Sequence, residues 1–349
     1  MNEAVLCSKC FRDQGLRLDS FSIGIQDESA CANCGSTDGR KLSRDLIARL
    51  AHRFFVRGTT HRTHFGAAPI VQFNEHQTTS IRAAPWFEPD LRLIEKAIGV
   101  GFFYYGPHLW MIGDVEPLKA LERPDQRATV VERILAEYPD RSLSEGELFY
   151  RLRRDPREPS SPGEYDSPPK NLAGSGRLDS VDFSVLYGSQ DLQVCVHECR
   201  ITVDDEVFVA TLAPARALRL LDLTCLLEEG GTEFESLDIA VHMLFLAGTH
   251  AYEISRAIAV AACRAGYDGV IYPSYFSLVR SGTTPIQTVY GISIRKITRL
   301  AAHAKAQMIP NIAVFGRPIE QGIVAVRCIN RLVLNRVEYD LLFGPVGYQ

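Results

Sequence analysis

Four cysteines in the first 40 residues are the strongest candidates for metal chemistry in the chain. They form two Cys-x2-Cys pairs, Cys7 with Cys10 and Cys31 with Cys34, separated by twenty residues. Each pair is a tight turn that directs two thiolates at one point, and two such turns complete a tetrahedron around Zn²⁺. Because four thiolates leave no open position for water, the spacing predicts a structural zinc ribbon. Four unrelated thiols or a redox pair are the alternatives.

A row of arginines follows the cysteines at helical spacing. Arg49, Arg53 and Arg57 recur every four residues, opposite an apolar stripe, within the basic stretch from Arg40 to Arg62. Beside a zinc ribbon, such a face could bind nucleic acid. The alternative is an ordinary solvated helix face, since no aromatic residues are interleaved for base stacking.

One further pair in this region has a spacing that is used in nucleases. Arg57 and His64 match the Arg-x6-His spacing of HEPN-class ribonucleases, but Gly58 interrupts the helix that would have to carry the pair. The sequence therefore only weakly favours a nuclease.

Length, composition and charge limit the class of protein. The length of 349 residues and the 46% hydrophobic content predict a globular protein of roughly two domains. The formal charge of −4 gives it no general attraction to nucleic acid or anionic lipid. The longest uncharged apolar stretch, residues 239–248, is far shorter than the ~18 residues of a membrane span. Without a secretory signal at the N-terminus, we expect a cytoplasmic protein and no membrane partner.

Nine cysteines in a chain of this kind argue against a disulfide framework. The five outside the quartet lie in apolar runs, where we expect small buried side chains. These five are Cys195, Cys199, Cys225, Cys263 and Cys328.

Three segments of different composition must position these groups. Residues 1–40 predict a zinc-ribbon-like module, residues 41–144 a mostly helical middle region, and residues 145–349 a strand-rich α+β domain. In the middle region, apolar residues at helical spacing follow Ser43, which is a candidate N-cap. A second helix is predicted around residues 130–138.

The third segment begins with a strand at residues 148–153, whose alternation places Arg151 and Arg153 on one face. A Pro-rich loop at residues 155–176 is long enough to be a functional flap. After a strand ending at Tyr187, a helix through residues 192–199 is predicted with Ser189 as its N-cap, although the β-branched content also permits a strand. Further helices are predicted at residues 233–246 and 250–265, and further strands at residues 207–212, 218–223, 269–272, 289–294, 312–315 and 323–328.

From about residue 145 onwards the chain resembles the RES domain, a family of NAD+-degrading toxins with an ADP-ribosyltransferase-like fold. The first 144 residues resemble the zinc-binding N-terminal extension of a subset of RES proteins. The matching stretches are Leu-Phe-Tyr-Arg-Leu-Arg (148–153), Gly-Arg-Leu-Asp-Ser (176–180), Val-Leu-Tyr-Gly-Ser (185–189), His-Glu (197–198) and Gly-Val-Ile-Tyr-Pro-Ser (269–274).

The resemblance implies a set of functional residues. The family's Arg, Tyr, Glu and Ser fall on Arg151, Tyr187, Glu198 and Ser274, and a further basic position falls on Arg177. With Arg153 as a second strand arginine, the predicted catalytic residues are Glu198, Arg151, Tyr187 and Ser274, and the predicted substrate-binding residues are Arg177 and Arg153. Leu178 and the long Pro-rich loop depart from the commoner family pattern. These differences affect the expected shape of the pocket more than its chemistry.

The implied reaction cleaves the nicotinamide–ribose bond of NAD+. A carboxylate can stabilise the positive charge that develops on the ribose, which is the role implied for Glu198. Arginines suit the pyrophosphate, the tyrosine could stack on the nicotinamide or ribose, and Ser274 could orient a phosphate or the amide. The structural alternatives are a solvated strand face for Arg151 and Arg153 and a core aromatic for Tyr187. For Ser274 the alternative is a turn residue after Pro273, and for Glu198 it is a surface acid.

Two other functions stay open at this stage. An ADP-ribosyltransferase would modify a protein or nucleic acid, but Val196 lies where arginine-directed transferases carry Gln or Glu. A zinc-ribbon nucleic-acid-binding module is the alternative from another class. The resemblance further implies a toxin or defence effector that is controlled by an antitoxin or sensor partner, and a homo-oligomer is compatible with it.

Overall fold

The computed structural model describes residues 5–63, 66–104, 115–169, 173–181, 183–277, 288–289, 292–338 and 341–348. The chain forms two compact units. Unit 1 comprises Met1–Thr63, Ala67–Trp110 and Glu338–Gln349, and unit 2 comprises His64–Gly66 and Met111–Val337. The division into domains at residues 40 and 144 stays a prediction.

Unit 1 combines short antiparallel strand pairs with three helices around an apolar core. Its phenylalanines stack closely, with the rings of Phe55 and Phe102 centred 4.2 Å apart. Ser43 caps the second helix by accepting a hydrogen bond from the Leu46 amide, as its position predicts. The strands are β1 (Leu6–Cys7) paired with β2 (Lys41–Leu42), β3 (Thr60–Thr63) with β4 (Gly66–Pro69), and β5 (Val71–Asn74) with β6 (Gly101–Tyr104). The helices are α1 (Gln14–Ile23), α2 (Arg44–Ala51), continued by a π-helical turn at His52–Val56, and α3 (Glu88–Ile98).

The basic face of α2 is interrupted by contacts within unit 1. The Arg53 guanidinium pairs with the buried Asp19 at 3.1 Å and donates to the Leu341 carbonyl of the C-terminal tail at 2.8 Å. Arg49 is exposed. The arginines therefore do not form a continuous free surface, while the side chains of Arg62 and His64 lie outside the described residues.

Unit 2 is built on an eight-stranded sheet with the order β16-β10-β8-β9-β15-β12-β11-β7. The pair β11–β12 is parallel and the other neighbouring pairs of this sheet are antiparallel. Its strands are β7 (Asp140–Leu143), β8 (Phe149–Arg154), β9 (Val185–Ser189), β10 (Val207–Pro214), β11 (Leu218–Asp222), β12 (Gly269–Pro273), β15 (Pro310–Phe315) and β16 (Val324–Leu332), with a separate hairpin of β13 (Thr288–Val289) and β14 (Ile292–Ser293). The helices are α4 (Glu116–Glu122), α5 (Pro124–Glu137), α6 (Leu192–Glu198), α7 (Leu237–Leu246), α8 (Tyr252–Arg264) and α9 (Ala301–Ala306). This mixture of helices and strands confirms the predicted α+β class.

Strand β8 lies where the alternation predicts it, but both of its faces are covered. Phe149 packs in the core with Leu186 and Ile312, while Leu152 packs on the other side with Cys195 beneath α6. Arg151 is only 7% exposed, so the alternative of a solvated strand face is wrong for this residue. The alternation of the strand did not reveal this burial, because the loop around Asp166 packs over Arg151.

Local details of the helices and cysteines differ from prediction in two respects. Residues 192–198 form a helix and not a strand, and its N-cap is Asp191, while Ser189 accepts a hydrogen bond from the Asp191 amide. Cys263 and Cys328 are exposed, so the expectation of burial is wrong for these two. Among the described residues, no helix is long and apolar enough to cross a membrane.

Candidate functional site

Glu198 lies at the C-terminal end of α6 and is exposed. The Ser274 hydroxyl donates to its Oε1 atom at 2.6 Å, and the Asn311 Nδ2 atom donates to the same oxygen at 2.6 Å. Both donors are buried, with 0% and 4% exposure. No hydrogen bond joins Oε2 to any residue that the structure describes. Among the described residues, the carboxylate is thus held through one oxygen.

Two neighbouring strands bring these donors together. Ser274 directly follows β12, Asn311 belongs to β15, and the register places Asn311 opposite Tyr272. The strand residues around Asn311 are apolar, so its side chain is a buried polar group that needs a partner. Glu198 provides that partner from the helix end, which fixes the position of the carboxylate relative to the sheet.

Tyr272 is a buried strand residue opposite Asn311 in the register of β12 and β15. Its ring packs against Phe245 of α7 with centroids 5.1 Å apart. Burial, followed by the nearby charge of Glu198, raises the pKa of its hydroxyl. Tyr272 therefore stays neutral at physiological pH.

Tyr187 lies on β9 with its hydroxyl held by the turn at residues 176–179. The hydroxyl donates to Asp179 Oδ1 at 2.7 Å and accepts from the backbone N–H groups of Leu178 and Asp179 at 2.8 and 3.1 Å. Burial, followed by the charge of Asp179, raises the pKa of Tyr187 well above its usual value. The tyrosine is therefore a fixed neutral group.

Arg151 and Arg153 donate to backbone carbonyls of unit 2. Arg151 bonds the Tyr187 and Asp166 carbonyls at 2.9 and 3.0 Å, and Arg153 bonds the Glu164 and Asp166 carbonyls at 2.7 and 3.0 Å. Burial, followed by the charge of Arg153, lowers the pKa of Arg151 to about 9, so this side chain is still cationic at neutral pH.

These bonds fasten part of the predicted flap to the sheet. Tyr165 in this loop is fully buried, and the buried Asp166 carboxylate accepts the Glu320 amide at 2.8 Å. In its described portion, the Pro-rich loop is therefore packed against unit 2, and the Arg151 guanidinium lies beneath it.

Arg177 lies between the turn and α7. Its Nη1 and Nη2 atoms donate to the Leu244 and Ala247 carbonyls at 3.2 and 2.7 Å, where they satisfy the C-terminal end of α7. Its guanidinium also lies over the Tyr252 ring, 4.8 Å from the centroid. Two of its five N–H donors are used in this way, and the half-buried side chain has further donors for a ligand.

The structure brings some of the predicted site residues into contact and connects others indirectly. Glu198 and Ser274 bond directly, and Arg151 reaches Tyr187 through its backbone carbonyl. Arg177 and Tyr187 are connected by the 176–179 turn. Sequence reasoning missed Asn311 and Tyr272, although a lone amide beginning an otherwise apolar strand was a signal for the first of them.

The second candidate site is the cysteine quartet in unit 1. The sulfur atoms of Cys7, Cys10, Cys31 and Cys34 all lie within 4.8 Å of one another, and three of the pairs are 3.5, 3.6 and 3.8 Å apart. Zn–S bonds of ~2.3 Å would separate the sulfurs of a tetrahedral site by about 3.8 Å. The residues therefore fit a metal ion such as zinc.

Neighbouring groups support this thiolate cluster. Burial alone would raise the pKa of Cys31, but hydrogen bonds from the Cys34 and Asn33 amides lower it to about 7. The buried Lys41 ammonium donates to the carbonyls of Ser36, Thr37 and Gly39, at 3.2, 3.1 and 2.8 Å. This clamp holds the chain that closes over Cys7, where a side chain at Gly39 would lie 2.6 Å from the Cys7 sulfur.

Residues 148–284, the stretch that contains Glu198 and Ser274, match the family model of the RES domain. The match ends before β15, so Asn311 lies outside it. A comparison with curated proteins gave no match.

A solved structure that is similar to this chain is the M. tuberculosis MbcT–MbcA toxin–antitoxin complex. The sequence identity is 15%, the alignment covers 58% of this chain and 91% of that chain, and the TM-score is 0.32.

Proposed function

We propose that this chain is a cytoplasmic NAD+ glycohydrolase that acts as a toxin or defence effector by depleting NAD+. The observation that carries the proposal is the Glu198 carboxylate, whose Oε1 is held by two buried donors while Oε2 is left for a ligand. Glu198 and Ser274 lie in the stretch that matches the RES-domain model, and the chain resembles the NAD+-degrading toxins of that family.

In the proposed reaction, water and NAD+ give nicotinamide, ADP-ribose and a proton. As the nicotinamide–ribose bond breaks, the bonding electrons go to the pyridinium ring and leave positive charge on the ribose C1′. Glu198 Oε2 would stabilise this charge, and Ser274 and Asn311 would keep the carboxylate oriented without reorganisation. Nicotinamide leaves as a neutral molecule, so the step requires no proton donor.

The remaining site residues would bind the rest of NAD+. Arg151 and Arg177 are our candidates for the pyrophosphate, with Arg153 adding positive charge beneath the same loop. Arg151 and Arg177 each use two N–H donors to bond backbone carbonyls. We therefore expect each guanidinium to bind the pyrophosphate through its positive charge and its remaining N–H groups. The Tyr187 ring would stack on the nicotinamide.

Zinc, if bound by the quartet, would hold the loops of unit 1 together. All four donors are thiolates, so a tetrahedral ion would have no position for water and no part in the reaction. An enzyme that depletes NAD+ would harm its own cell, and we therefore propose an antitoxin or sensor protein as its partner.

Transfer of ADP-ribose to a protein or nucleic acid is the competing function. Incubating the purified chain with NAD+ carrying a labelled adenine separates the two reactions. Hydrolysis predicts free nicotinamide and labelled ADP-ribose in solution in equal amounts. Label that remains on a macromolecule would favour transfer, and the absence of nicotinamide release would favour a binding protein.

A further inference from the structure

The hydroxyl of Tyr187 is fully occupied by the protein. A phenolic hydroxyl has one donor and two acceptor positions. The donor goes to Asp179 Oδ1, and the two acceptor positions take the amides of Leu178 and Asp179. No capacity is left for a hydrogen bond to a substrate, so Tyr187 can meet a ligand only with its ring.

Asp179 is the centre of this arrangement. Its side chain is 3% exposed, and its second oxygen accepts the Gly174 amide at 2.5 Å. A Cβ at Gly176 would overlap the first carboxylate oxygen and lie 2.8 Å from the Tyr187 hydroxyl. The turn thus closes tightly around one buried carboxylate, whose bonds to neutral donors are strengthened by its charge.

Helix α8 holds the same turn from another side. Arg256 donates to the Gly174 and Gly176 carbonyls at 2.8 Å each, and the Ser255 hydroxyl donates to the Arg177 carbonyl at 2.7 Å. These bonds end on the backbone of the turn and not on Tyr187. They stabilise the turn, whereas the Asp179 carboxylate both stabilises it and orients the tyrosine.

We propose that Asp179 is a positioning residue for the reaction proposed above, because it fixes the Tyr187 hydroxyl in the turn and thereby directs the tyrosine ring towards the nicotinamide group. The inference rests on the proposed function and adds to it a residue that acts through Tyr187.

The test is a double-mutant cycle in the full chain, with nicotinamide release from NAD+ as the assay. Asp179→Ala and Tyr187→Phe each remove the hydrogen bond between the two side chains, and each is expected to raise KM about tenfold with kcat changed less than about twofold. The double variant is expected to have the KM of either single variant, because one interaction is lost in all three.

Ser255→Ala is the matched control, since it removes a hydrogen bond to the same turn without touching Tyr187. Its KM should stay within about twofold of that of the unaltered chain. Multiplicative effects in the double variant, or an equal rise of KM in Ser255→Ala, would overturn the positioning role.

Two further outcomes keep the inference separate from the proposed function. If Asp179→Ala does not fold, Tyr187→Phe carries the test, and an unchanged KM in that variant overturns the inference. If the unaltered chain releases no nicotinamide, the proposed function fails and the positioning role falls with it. If the unaltered chain releases nicotinamide but the double-mutant cycle shows no coupling between Asp179 and Tyr187, only the positioning role fails.

Discussion

Asn311 and Ser274 both donate to Oε1 of Glu198, and no described residue bonds Oε2. An exposed glutamate normally samples several rotamers, and losing this freedom costs up to about 2 kcal/mol. The hydrogen bonds from the two buried donors offset this loss of side-chain entropy in the folded protein. The carboxylate is therefore ready before substrate arrives, which is the condition for efficient electrostatic stabilisation.

Removing either donor should lower kcat. We expect Ser274→Ala and Asn311→Leu each to reduce it about 10-fold to 100-fold, since a hydrogen bond to a charged group contributes ~1.5–3 kcal/mol. The measurement is nicotinamide release at saturating NAD+. Ser189→Ala is the control, because the Ser189 hydroxyl donates to the Pro310 carbonyl next to Asn311. An equal loss in the control would mean that the strand, and not Glu198, is affected.

The sequence indicated candidate site residues but not their environments. The motifs led to Glu198 and Ser274, which do contact each other, but not to Asn311, because its role depends on the register of β12 and β15. Arg151 was placed on the correct strand, whereas its burial depends on the loop carbonyls that pack over it. Such contacts join residues far apart in the chain, and local periodicity does not contain them.

At the level of elements, the turn at residues 174–180 is the tightest part of the site. Gly176→Ala should lower the free energy of unfolding of unit 2 by about 1–3 kcal/mol, because the added methyl group would overlap the Asp179 carboxylate. Urea denaturation measures the change. Gly146→Ala is the matched control, since a Cβ there meets no atom within 4 Å, and a shift as large as that of Gly176→Ala would contradict this packing.

Most helices and strands of unit 2 could be predicted because their apolar periodicity is clear. The cap of α6 was misassigned by two residues, from Ser189 to Asp191, since both are good capping residues and only the geometry distinguishes them. The long loop was predicted as a flap from its Pro and Gly content. Its Tyr165 and Asp166 are instead buried, which composition alone could not show.

On the scale of the whole molecule, unit 1 contains both ends of the described chain. The tail at residues 341–348 returns to it, and Gly58 packs so closely on Gly344 that a Cβ there would lie 2.6 Å from the Gly344 Cα. No sequence pattern indicated this return, because the tail has no regular element. The cysteine quartet was predictable, since its two turns are local and their spacing is distinctive.

Metal removal tests the quartet. We expect one zinc per chain, and a strong chelator should remove it and abolish amide-exchange protection in β1 and β2 while the unit 2 sheet stays protected. Cys31→Ser should lower the zinc content, whereas Cys263→Ala, at an exposed position outside the quartet, should not. A fully folded chain with no bound metal and no response to chelator would contradict the zinc ribbon.

The central claim is that Glu198 stabilises the transition state of nicotinamide–ribose cleavage, and the most direct measurement compares nicotinamide release by the unaltered chain and by Glu198→Gln. The substitution keeps the size of the side chain and an oxygen for the Ser274 and Asn311 donors, but it removes the negative charge. We predict a loss of kcat of at least ~100-fold with the folded state retained, the scale of losing one preorganised stabilising group. Equal rates of release by the two proteins would contradict the account.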